Sequence, residues 1–237
     1  MLPYFASVLS FIKVCVNSVG NRLLFCMYVL VVVLVPVQAF CDQRLSDISK
    51  CIRWIHYYER LYGIPRGTMH AISLVESGTS CGDFRYRVPA PWAVSVEGKG
   101  YRFDSKGEAK RFVNRMLNRG IRNIDVGCMQ VNLRYHARSF ASLDKALDPA
   151  CNIKYSASFL RKQYDRYHSW PRAIGCYHSK DPYKSSQYYK KVFKARSEVY
   201  YGLYLASNHG MAGVYSKKSL SNQGLRFGKR DNKLGRK

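Results

Sequence analysis

The stretch Asp125-Val126-Gly127-Cys128-Met129-Gln130-Val131-Asn132 places a carboxylate, two amides and a glycine among apolar side chains. Two further stretches mix polar and apolar residues in a similar way. Ala71-Ile72-Ser73-Leu74-Val75-Glu76-Ser77-Gly78 precedes it, and Ala173-Ile174-Gly175-Cys176-Tyr177-His178-Ser179 follows it. We predict that these three stretches, although far apart in the sequence, come together in one active site.

Glu76 is the candidate catalytic group of that site. Residues 65–75 carry apolar side chains at helical spacing on one face, and Gly78 suits the C-terminal end of such a helix. The helix is therefore expected to be largely buried, with Glu76 in its last turn. A carboxylate at that place is either a cleft residue or a solvated acid at a helix end.

Length and charge set broad bounds on function. The chain has 237 residues and 47% apolar content, which fits one ordinary globular domain plus appendages. Its 39 Lys and Arg residues exceed its 15 Asp and Glu residues, for a net charge of +24. A field of that sign attracts anionic polymers: nucleic acid, acidic membrane surfaces or acidic cell-wall glycans. Charge alone does not choose among these partners.

The N-terminus is typical of an exported protein. Residues 1–22 contain two cations and no acid, and residues 23–40 are almost wholly apolar and include the small-residue pattern Val37-Gln38-Ala39. We predict that residues 1–39 are a signal peptide. The alternative is a retained membrane anchor, because an apolar run of this length can just span a bilayer. Either interpretation places the folded part in the periplasm or cell envelope and argues against nucleic acid as a partner.

Cysteine usage agrees with export. Six cysteines remain after residues 1–39, and an even number in an exported chain predicts disulfides, with fifteen possible full pairings. No C-x₂-C spacing occurs and the histidines are scattered, so neither a metal site nor a cofactor is expected. The six are Cys41, Cys51, Cys81, Cys128, Cys151 and Cys176.

The apolar pattern predicts a mostly helical domain with one small β element, which is an α+β class. Helical spacing extends over about residues 47–62 and again over residues 185–204. Asp148-Pro149 and Trp170-Pro171 each open a further helix, since proline is tolerated in the first turn. The helix that Trp170-Pro171 opens carries the stretch Ala173–Ser179.

A β-hairpin is predicted within residues 84–104. Ala93-Val94-Ser95-Val96 and Tyr101-Arg102-Phe103 flank a turn that contains glycine. Ser105 and Glu108 then form a capping box, in which the two side chains satisfy free backbone N–H groups at the start of another helix.

Three regions follow from these patterns: residues 1–39 as the leader, residues 40–206 as the folded domain and residues 207–237 as a tail. The tail is rich in Gly, Ser, Asn and basic residues, with Asp231 as its only acid. Such a segment cannot bury enough apolar surface to fold alone, so we predict that it is disordered. It is either a solvated end or a contact to an anionic membrane or wall polymer.

Together, the three stretches resemble the catalytic motifs of the soluble lytic transglycosylases, lysozyme-like enzymes that cleave the glycan strands of bacterial peptidoglycan. We call them motifs 1, 2 and 3 in chain order. The resemblance covers about residues 48–180. Within the family, the chain is similar to the alphaproteobacterial members and to the secretion- or conjugation-associated members. The resemblance implies a goose-type lysozyme fold with a small β-hairpin insertion, peptidoglycan as the substrate, and a secretion or cell-envelope complex as a candidate partner.

The resemblance also implies a mechanism. Glu76 would donate a proton to the bond between N-acetylmuramic acid and N-acetylglucosamine, and would then act as base on the muramoyl C6 hydroxyl. The product is a 1,6-anhydro sugar, and no water is consumed. A single carboxyl in both roles suits an apolar cleft that raises its pKa. Ser77 would contact the substrate or hold the local geometry.

Five residues of motifs 2 and 3 take substrate-binding roles by the same resemblance. Gly127, Met129 and Gln130 match the second motif, with Met129 lining the sugar cleft and Gln130 contacting the saccharide. Asn132 resembles the version in secretion- and conjugation-associated members. Tyr177 matches the tyrosine of the third motif, whose hydroxyl would hydrogen-bond the catalytic carboxylate.

The chain departs from the family in motif 3. Tyr177-His178-Ser179-Lys180 stands where the family has Tyr-Asn-Ala-Gly, which leaves the contacts after Tyr177 open. The fold should also bring together the helices that Cys51 and Cys151 open, so a Cys51–Cys151 disulfide is the expected pairing.

Two other functions remain as alternatives. A muramidase would hydrolyse the same bond with water and would need a second positioned acid, with Asp83 or Asp125 as candidates. A non-catalytic basic protein would bind wall or membrane through its charge. Trp92, Tyr101 and Phe103 would either stack on sugar rings or pack the hairpin onto the helices, and we favour packing.

Overall fold

The structure is a computed structural model that describes residues 43–80 and 87–208. The predicted leader, residues 209–237 of the predicted tail, and Cys41, Cys81 and Asp83 lie outside the described residues. Ile48–Lys237 forms one compact unit, and Met1–Asp47, of which residues 43–47 are described, forms another. Within the described ranges, no helix combines the length and the hydrophobicity that crossing a membrane requires.

The described chain is mostly helical with small antiparallel sheets, so the predicted α+β class is confirmed. The helices are α1 (residues 43–61), α2 (Thr68–Glu76), α3 (Lys106–Asn118), α4 (Leu133–His136), α5 (Leu143–Leu147), α6 (Pro149–Tyr167), α7 (Trp170–His178) and α8 (Pro182–Asn208). The strands are β1 (Thr79–Ser80), β2 (Arg87–Val88), β3 (Ala93–Val96), β4 (Lys99–Arg102), β5 (Ile124–Val126) and β6 (Val131–Asn132). Helix α8 extends into the region predicted as tail.

The predicted hairpin is half of a larger sheet. β3 and β4 pair antiparallel as expected, but β5 pairs with β3 and β6 pairs with β5, which gives the order β4-β3-β5-β6. Motif 2 supplies both extra strands and the turn between them. The sequence pattern missed these strands because each is only 2 or 3 residues long, too short to show alternation. A separate pair, β1 with β2, lies between α2 and the sheet in the sequence.

The helix starts predicted at Ser105, Asp148-Pro149 and Trp170-Pro171 are confirmed. The Ser105 hydroxyl accepts a hydrogen bond from the Glu108 backbone N–H at 3.2 Å, and the Glu108 carboxylate accepts one from the Asp104 N–H at 3.3 Å. The capping box is therefore present, with the glutamate reaching one residue further back than expected. At the start of α6, the Asp148 carboxylate accepts from the Cys151 N–H at 3.1 Å.

Two apolar cores hold the elements together. The main core surrounds α2, whose Met69 and Ile72 are fully buried, and contains side chains from α1, α6, α7 and α8. The second core lies between the sheet and α3. Tyr101 and Phe103 pack there, with ring centroids 4.6 and 5.0 Å from that of Phe112. The prediction that the aromatic residues of the hairpin pack onto a helix is therefore confirmed.

Helix α2 is held at its N-terminus by a carboxylate from α1. Glu59 is 2% exposed and accepts hydrogen bonds from the backbone N–H groups of Gly67, Met69 and His70 at 2.9, 2.8 and 3.4 Å. Gly67, the residue that precedes α2, supplies no side-chain cap. Burial raises the pKa of Glu59 to about 7, while the three N–H groups act in the opposite direction. Glu59 thus fixes one end of the helix whose other end carries Glu76.

The predicted Cys51–Cys151 disulfide is not present. Cys151 carries a free thiol that hydrogen-bonds Asp148, and burial together with the Asp148 charge raises the pKa of that thiol. Cys51 is fully buried in the main core. The fold brings the two helices into one core but does not bond their first cysteines, because the Cys151 side chain turns toward the cap of α6. Cys128 and Cys176 also carry free thiols.

Candidate active site

All three motifs meet at a pocket of about 500 Å³. Motif 1 contributes Glu76 from the end of α2, motif 2 contributes residues of β5, β6 and the turn between them, and motif 3 contributes the end of α7. Helices α4 and α6 and the β3–β4 hairpin complete the walls. The lining side chains include Glu76, Ser95, Asp125, Gln130, Asn132, Tyr135, His136, Tyr155, Phe159, Tyr177 and His178.

Glu76 is the last residue of the buried helix α2, and its side chain is half-buried. Its Oε1 accepts a hydrogen bond from the Tyr188 hydroxyl at 2.5 Å. Burial raises the pKa of Glu76 to about 7; the Tyr188 hydrogen bond opposes this shift, the Asp125 charge adds to it, and Lys191 opposes it. Near neutral pH this carboxyl is therefore present in both its protonated and its ionised form. A group that donates a proton and then accepts one needs access to both forms.

Tyr188 was not predicted, and it takes the role that was predicted for Tyr177. The Tyr177 hydroxyl donates instead to the Met129 carbonyl oxygen at 2.9 Å, because α7 directs it at the turn of motif 2. Tyr188 comes from α8, beyond motif 3. The apolar Val192, four residues further along the predicted helix, could have pointed to Tyr188 as a residue of its inward face.

His178, which stands after Tyr177 where the family has asparagine, contacts Tyr188. Its ring stacks on that of Tyr188, with centroids 4.8 Å apart and planes 5° from parallel. Burial lowers the pKa of His178, Lys191 and Lys184 lower it further, and Asp125 acts in the opposite direction. The residue after Tyr177 thus supports the tyrosine that hydrogen-bonds Glu76.

Ser77 ties motif 1 to motif 2. Its hydroxyl lies 3.0 Å from the Ser73 carbonyl oxygen and 2.8 Å from that of Cys128, and it accepts from the Ala90 N–H at 3.2 Å. The residue is 2% exposed. Of its two expected roles, this geometry supports the second, in which Ser77 holds the local structure rather than the substrate.

The predicted binding residues of motif 2 divide into buried ones and half-buried ones that line the pocket. Gly127 is buried at φ 80°, and a Cβ there would lie 2.6 Å from the Asn152 side chain, so this glycine allows close packing rather than substrate contact. Met129 is fully buried and does not line the cleft as expected, because the turn points it into the main core. Gln130 does line the pocket, and its Nε2 donates to the Gly127 and Ala93 carbonyl oxygens at 2.9 and 3.2 Å.

Asn152 of α6 holds the turn of motif 2 and was also missed. Its Nδ2 donates to the carbonyl oxygens of Val126 and Ala146, each at 2.9 Å, and its Oδ1 accepts from the Met129 N–H at 3.1 Å. The side chain is fully buried. The signal in the sequence was an amide on the apolar face of α6, beside Ile153, since a buried polar group must be hydrogen-bonded.

A second carboxyl faces the same pocket. Ser95, Asp125 and Asn132 lie opposite one another on three neighbouring strands. The Asn132 Nδ2 donates to an Asp125 oxygen at 2.8 Å, and its Oδ1 caps α4 by accepting from the Arg134 N–H at 2.9 Å. Burial raises the pKa of Asp125, while hydrogen bonds from Asn132 and Ser95 oppose the shift. The pocket thus holds Glu76 and a positioned Asp125.

The opposite wall is aromatic. Tyr135 is 71% exposed, and His136, Tyr155 and Phe159 continue the same wall. The Tyr155 hydroxyl and His136 Nδ1 are 2.7 Å apart, so these rings are fixed relative to one another. Flat apolar rings facing hydrogen-bonding groups form a surface that suits a polyhydroxylated ring. Among the described residues, no group of three or more His, Cys, Asp or Glu side chains is arranged to hold a metal ion.

Comparison with protein-family models gives a match to part of the chain. Residues 90–198 match the family model described as the transglycosylase SLT domain. The matched segment contains motifs 2 and 3 and Tyr188, while Glu76 precedes it. Comparison with curated proteins found no match, and neither did comparison with solved structures.

An SLT domain indicates a transglycosylase-type enzyme with peptidoglycan as its substrate. The helical architecture with its small antiparallel sheet agrees with that family. Residues 90–198 are therefore similar to a transglycosylase SLT domain, which is consistent with the soluble lytic transglycosylases of the lysozyme-like superfamily that the motifs resemble.

Proposed function

We propose that this protein is a lytic transglycosylase that cleaves the β-1,4 bond between N-acetylmuramic acid and N-acetylglucosamine in peptidoglycan. One observation carries the proposal: Glu76 opens on the pocket where all three motifs meet, and burial raises its pKa to about 7. At neutral pH a large fraction of this carboxyl is therefore protonated and able to act as an acid.

The reaction uses the Glu76 carboxyl twice, first as an acid and then as a base. Glu76 gives its proton to the glycosidic oxygen as the bond to the muramoyl anomeric carbon breaks, which leaves an oxocarbenium-like centre. The Glu76 carboxylate then takes the proton of the muramoyl C6 hydroxyl as its oxygen bonds to that carbon. The 1,6-anhydro ring closes, the enzyme is regenerated and no water is consumed. The Tyr188 hydroxyl stabilises the carboxylate between the two steps.

The remaining pocket residues bind the glycan in this proposal. The aromatic wall of Tyr135, Tyr155 and Phe159 offers faces for sugar rings, and Gln130 and Asn132 offer amides on the opposite side. Ser77, Gly127 and Met129 act indirectly, by holding the motif 1 and motif 2 backbones in place.

The pH dependence of glycan release tests the role of Glu76. Because the first step needs a protonated carboxyl, kcat/KM is expected to fall as pH rises through about 7, the pKa of Glu76. Tyr188→Phe removes a hydrogen bond that lowers this pKa, so the alkaline limb of the pH–rate profile should move to higher pH. The measurement is the pH–rate profile of glycan release from purified peptidoglycan.

Tyr189→Phe is the matched control for this variant. Tyr189 is adjacent in α8 and packs near Phe193, with ring centroids 6.0 Å apart. The alkaline limb of the Tyr189→Phe pH–rate profile should coincide with that of the wild type. An unchanged limb in Tyr188→Phe would mean that the group controlling the rate is not Glu76.

Hydrolysis by water is a second candidate function, because Asp125 lines the same pocket. If Asp125 positions a water molecule, Asp125→Asn should abolish hydrolytic products while leaving any anhydro products. If the protein is a transglycosylase, Asp125→Asn should retain anhydro products and lower the pKa of Glu76, since the Asp125 charge raises it. The alkaline limb would then move to lower pH, opposite to the effect of Tyr188→Phe.

We further propose that the domain acts outside the cytoplasm. The leader of residues 1–39, as signal peptide or anchor, and the basic segment after α8 support this location. A secretion or envelope complex is a candidate partner, since opening the wall is a step that such machines need.

A further inference from the structure

We propose that the pocket continues as a glycan groove across the four-stranded sheet, and that Gly100 keeps the outer end of this groove open at strand β4. Sugars beyond the scissile bond pass over this edge of the sheet, so the enzyme cleaves bonds inside a strand and not only at its end. The inference rests on the proposed function, because it takes a peptidoglycan strand as the ligand.

One row of residues crosses the whole sheet on the side of the pocket. Gly100 of β4 lies opposite Ser95 of β3. Ser95 in turn lies opposite Asp125, which lies opposite Asn132 of β6. Residues directly opposite one another share a face of the sheet, and all four line the pocket. Because neighbouring strands lie roughly 4.8 Å apart, this cross-strand row is about 14 Å long, enough for more than one sugar ring.

Three members of the cross-strand row form a fixed polar surface that begins near Glu76. Asp125 accepts hydrogen bonds from Asn132 and Ser95. A carboxylate has about four acceptor sites, so Asp125 also has room for a sugar hydroxyl. Its charge raises the pKa of Glu76, which places Asp125 near the catalytic carboxyl. From there the row leads through Ser95 to β4, the outermost strand in the order β4-β3-β5-β6.

Neither the backbone nor the packing requires glycine at position 100. Gly98 has a φ of 85°, as its turn demands, whereas the φ of Gly100 lies outside the left-handed region. Chain neighbours aside, a Cβ at Gly100 would meet no atom of the described residues within 4 Å. Glycine inside a strand weakens it and often marks a place where a ligand approaches closely. The missing side chain thus leaves the outer end of the row open.

The hairpin presents this open end on a firmly packed strand. Successive residues of a strand point to opposite faces, so Tyr101 lies on the face away from Gly100. The Tyr101 ring packs there against Phe112 of α3, with centroids 4.6 Å apart. Gly100 itself is exposed. The outer end of the groove therefore has a defined position relative to the catalytic carboxyl.

Gly100→Val and Gly100→Tyr test the groove by closing its outer end. Both new residues favour strands and have open space, so both variants should be at least as stable in urea as the wild type. On long glycan strands we expect the cleavage rate to fall several-fold, more for tyrosine than for valine. Early products should shift from mixed lengths to short end fragments. Short oligosaccharides should be cleaved at the wild-type rate.

Gly107→Tyr is the matched control. Gly107 is an exposed glycine of α3, and a Cβ there would lie 3.5 Å from the end of the flexible Arg111 side chain. This variant should behave like the wild type on long and on short substrates. Gly100 variants that match it on both lengths, or that lose both lengths equally, would overturn the open groove.

Binding to inactive protein separates this inference from the proposed function, because binding needs no turnover. In the Glu76→Gln background, Gly100→Tyr should raise the Kd of a long N-acetylglucosamine oligomer several-fold and leave that of a short one unchanged. A loss confined to the long oligomer would support the groove even if the wild type formed no anhydro products, an outcome that would sink the proposed function alone. Equal affinities with and without the Gly100 substitution would refute the groove.

Discussion

Glu76→Gln is expected to lower glycan release on the order of a thousandfold or more, because general acid and base catalysis both depend on this one group. Glutamine keeps the size of the side chain and an acceptor for the Tyr188 hydroxyl, so the fold and the pocket should be retained. Soluble products released from purified peptidoglycan, measured at pH 6 to 7, provide the rate.

The same variant should be more stable than the wild type at alkaline pH. Burial raises the pKa of Glu76 from 4.5 to about 7, so the folded state binds an extra proton between these values. Stability is therefore lost as pH rises through that window, and the loss is complete above it. Glu76→Gln should gain about 1–3 kcal/mol at pH 8 and nothing at pH 4. Urea unfolding at both pH values measures this, and a loss of stability at pH 8 would show that inactivity came from misfolding.

Asn152→Ala is expected to lower the free energy of unfolding by about 3–5 kcal/mol. It leaves three buried backbone groups without their partners: the carbonyl oxygens of Val126 and Ala146 and the N–H of Met129. The turn that presents Gln130 and the strand that carries Asp125 then lose their support, so activity should fall as well.

Urea unfolding followed by circular dichroism gives the stability of this variant. Asn114→Ala, on the exposed side of α3, is the matched control and should change the free energy of unfolding by less than about 0.5 kcal/mol. A value for Asn152→Ala within that range would mean that motif 2 holds its conformation without α6.

Helices were the part of the fold that the sequence predicted well. Ser105, Asp148 and Trp170-Pro171 mark helix starts through local hydrogen bonding and the fixed φ of proline, and such signals need no knowledge of the tertiary structure. The strands of motif 2 were missed because their pairing with β3 is long-range. The disulfide was mispredicted because bringing two helices together does not set the direction of the Cys151 side chain.

The site was predictable where a role depends on residue type, and less so where it depends on orientation. Glu76, Gln130, Asn132 and Tyr177 do line one pocket. Which tyrosine reaches the carboxylate depends on how α7 and α8 pack, and that information is not local.

The most direct test of the central proposal is mass spectrometry of muropeptides released from purified peptidoglycan by the chain lacking residues 1–39. Glu76→Gln is the control. We expect 1,6-anhydro-muramoyl ends that disappear in the variant. Reducing ends from the wild type would contradict it and make the protein a hydrolase, with Asp125 as the group to examine next.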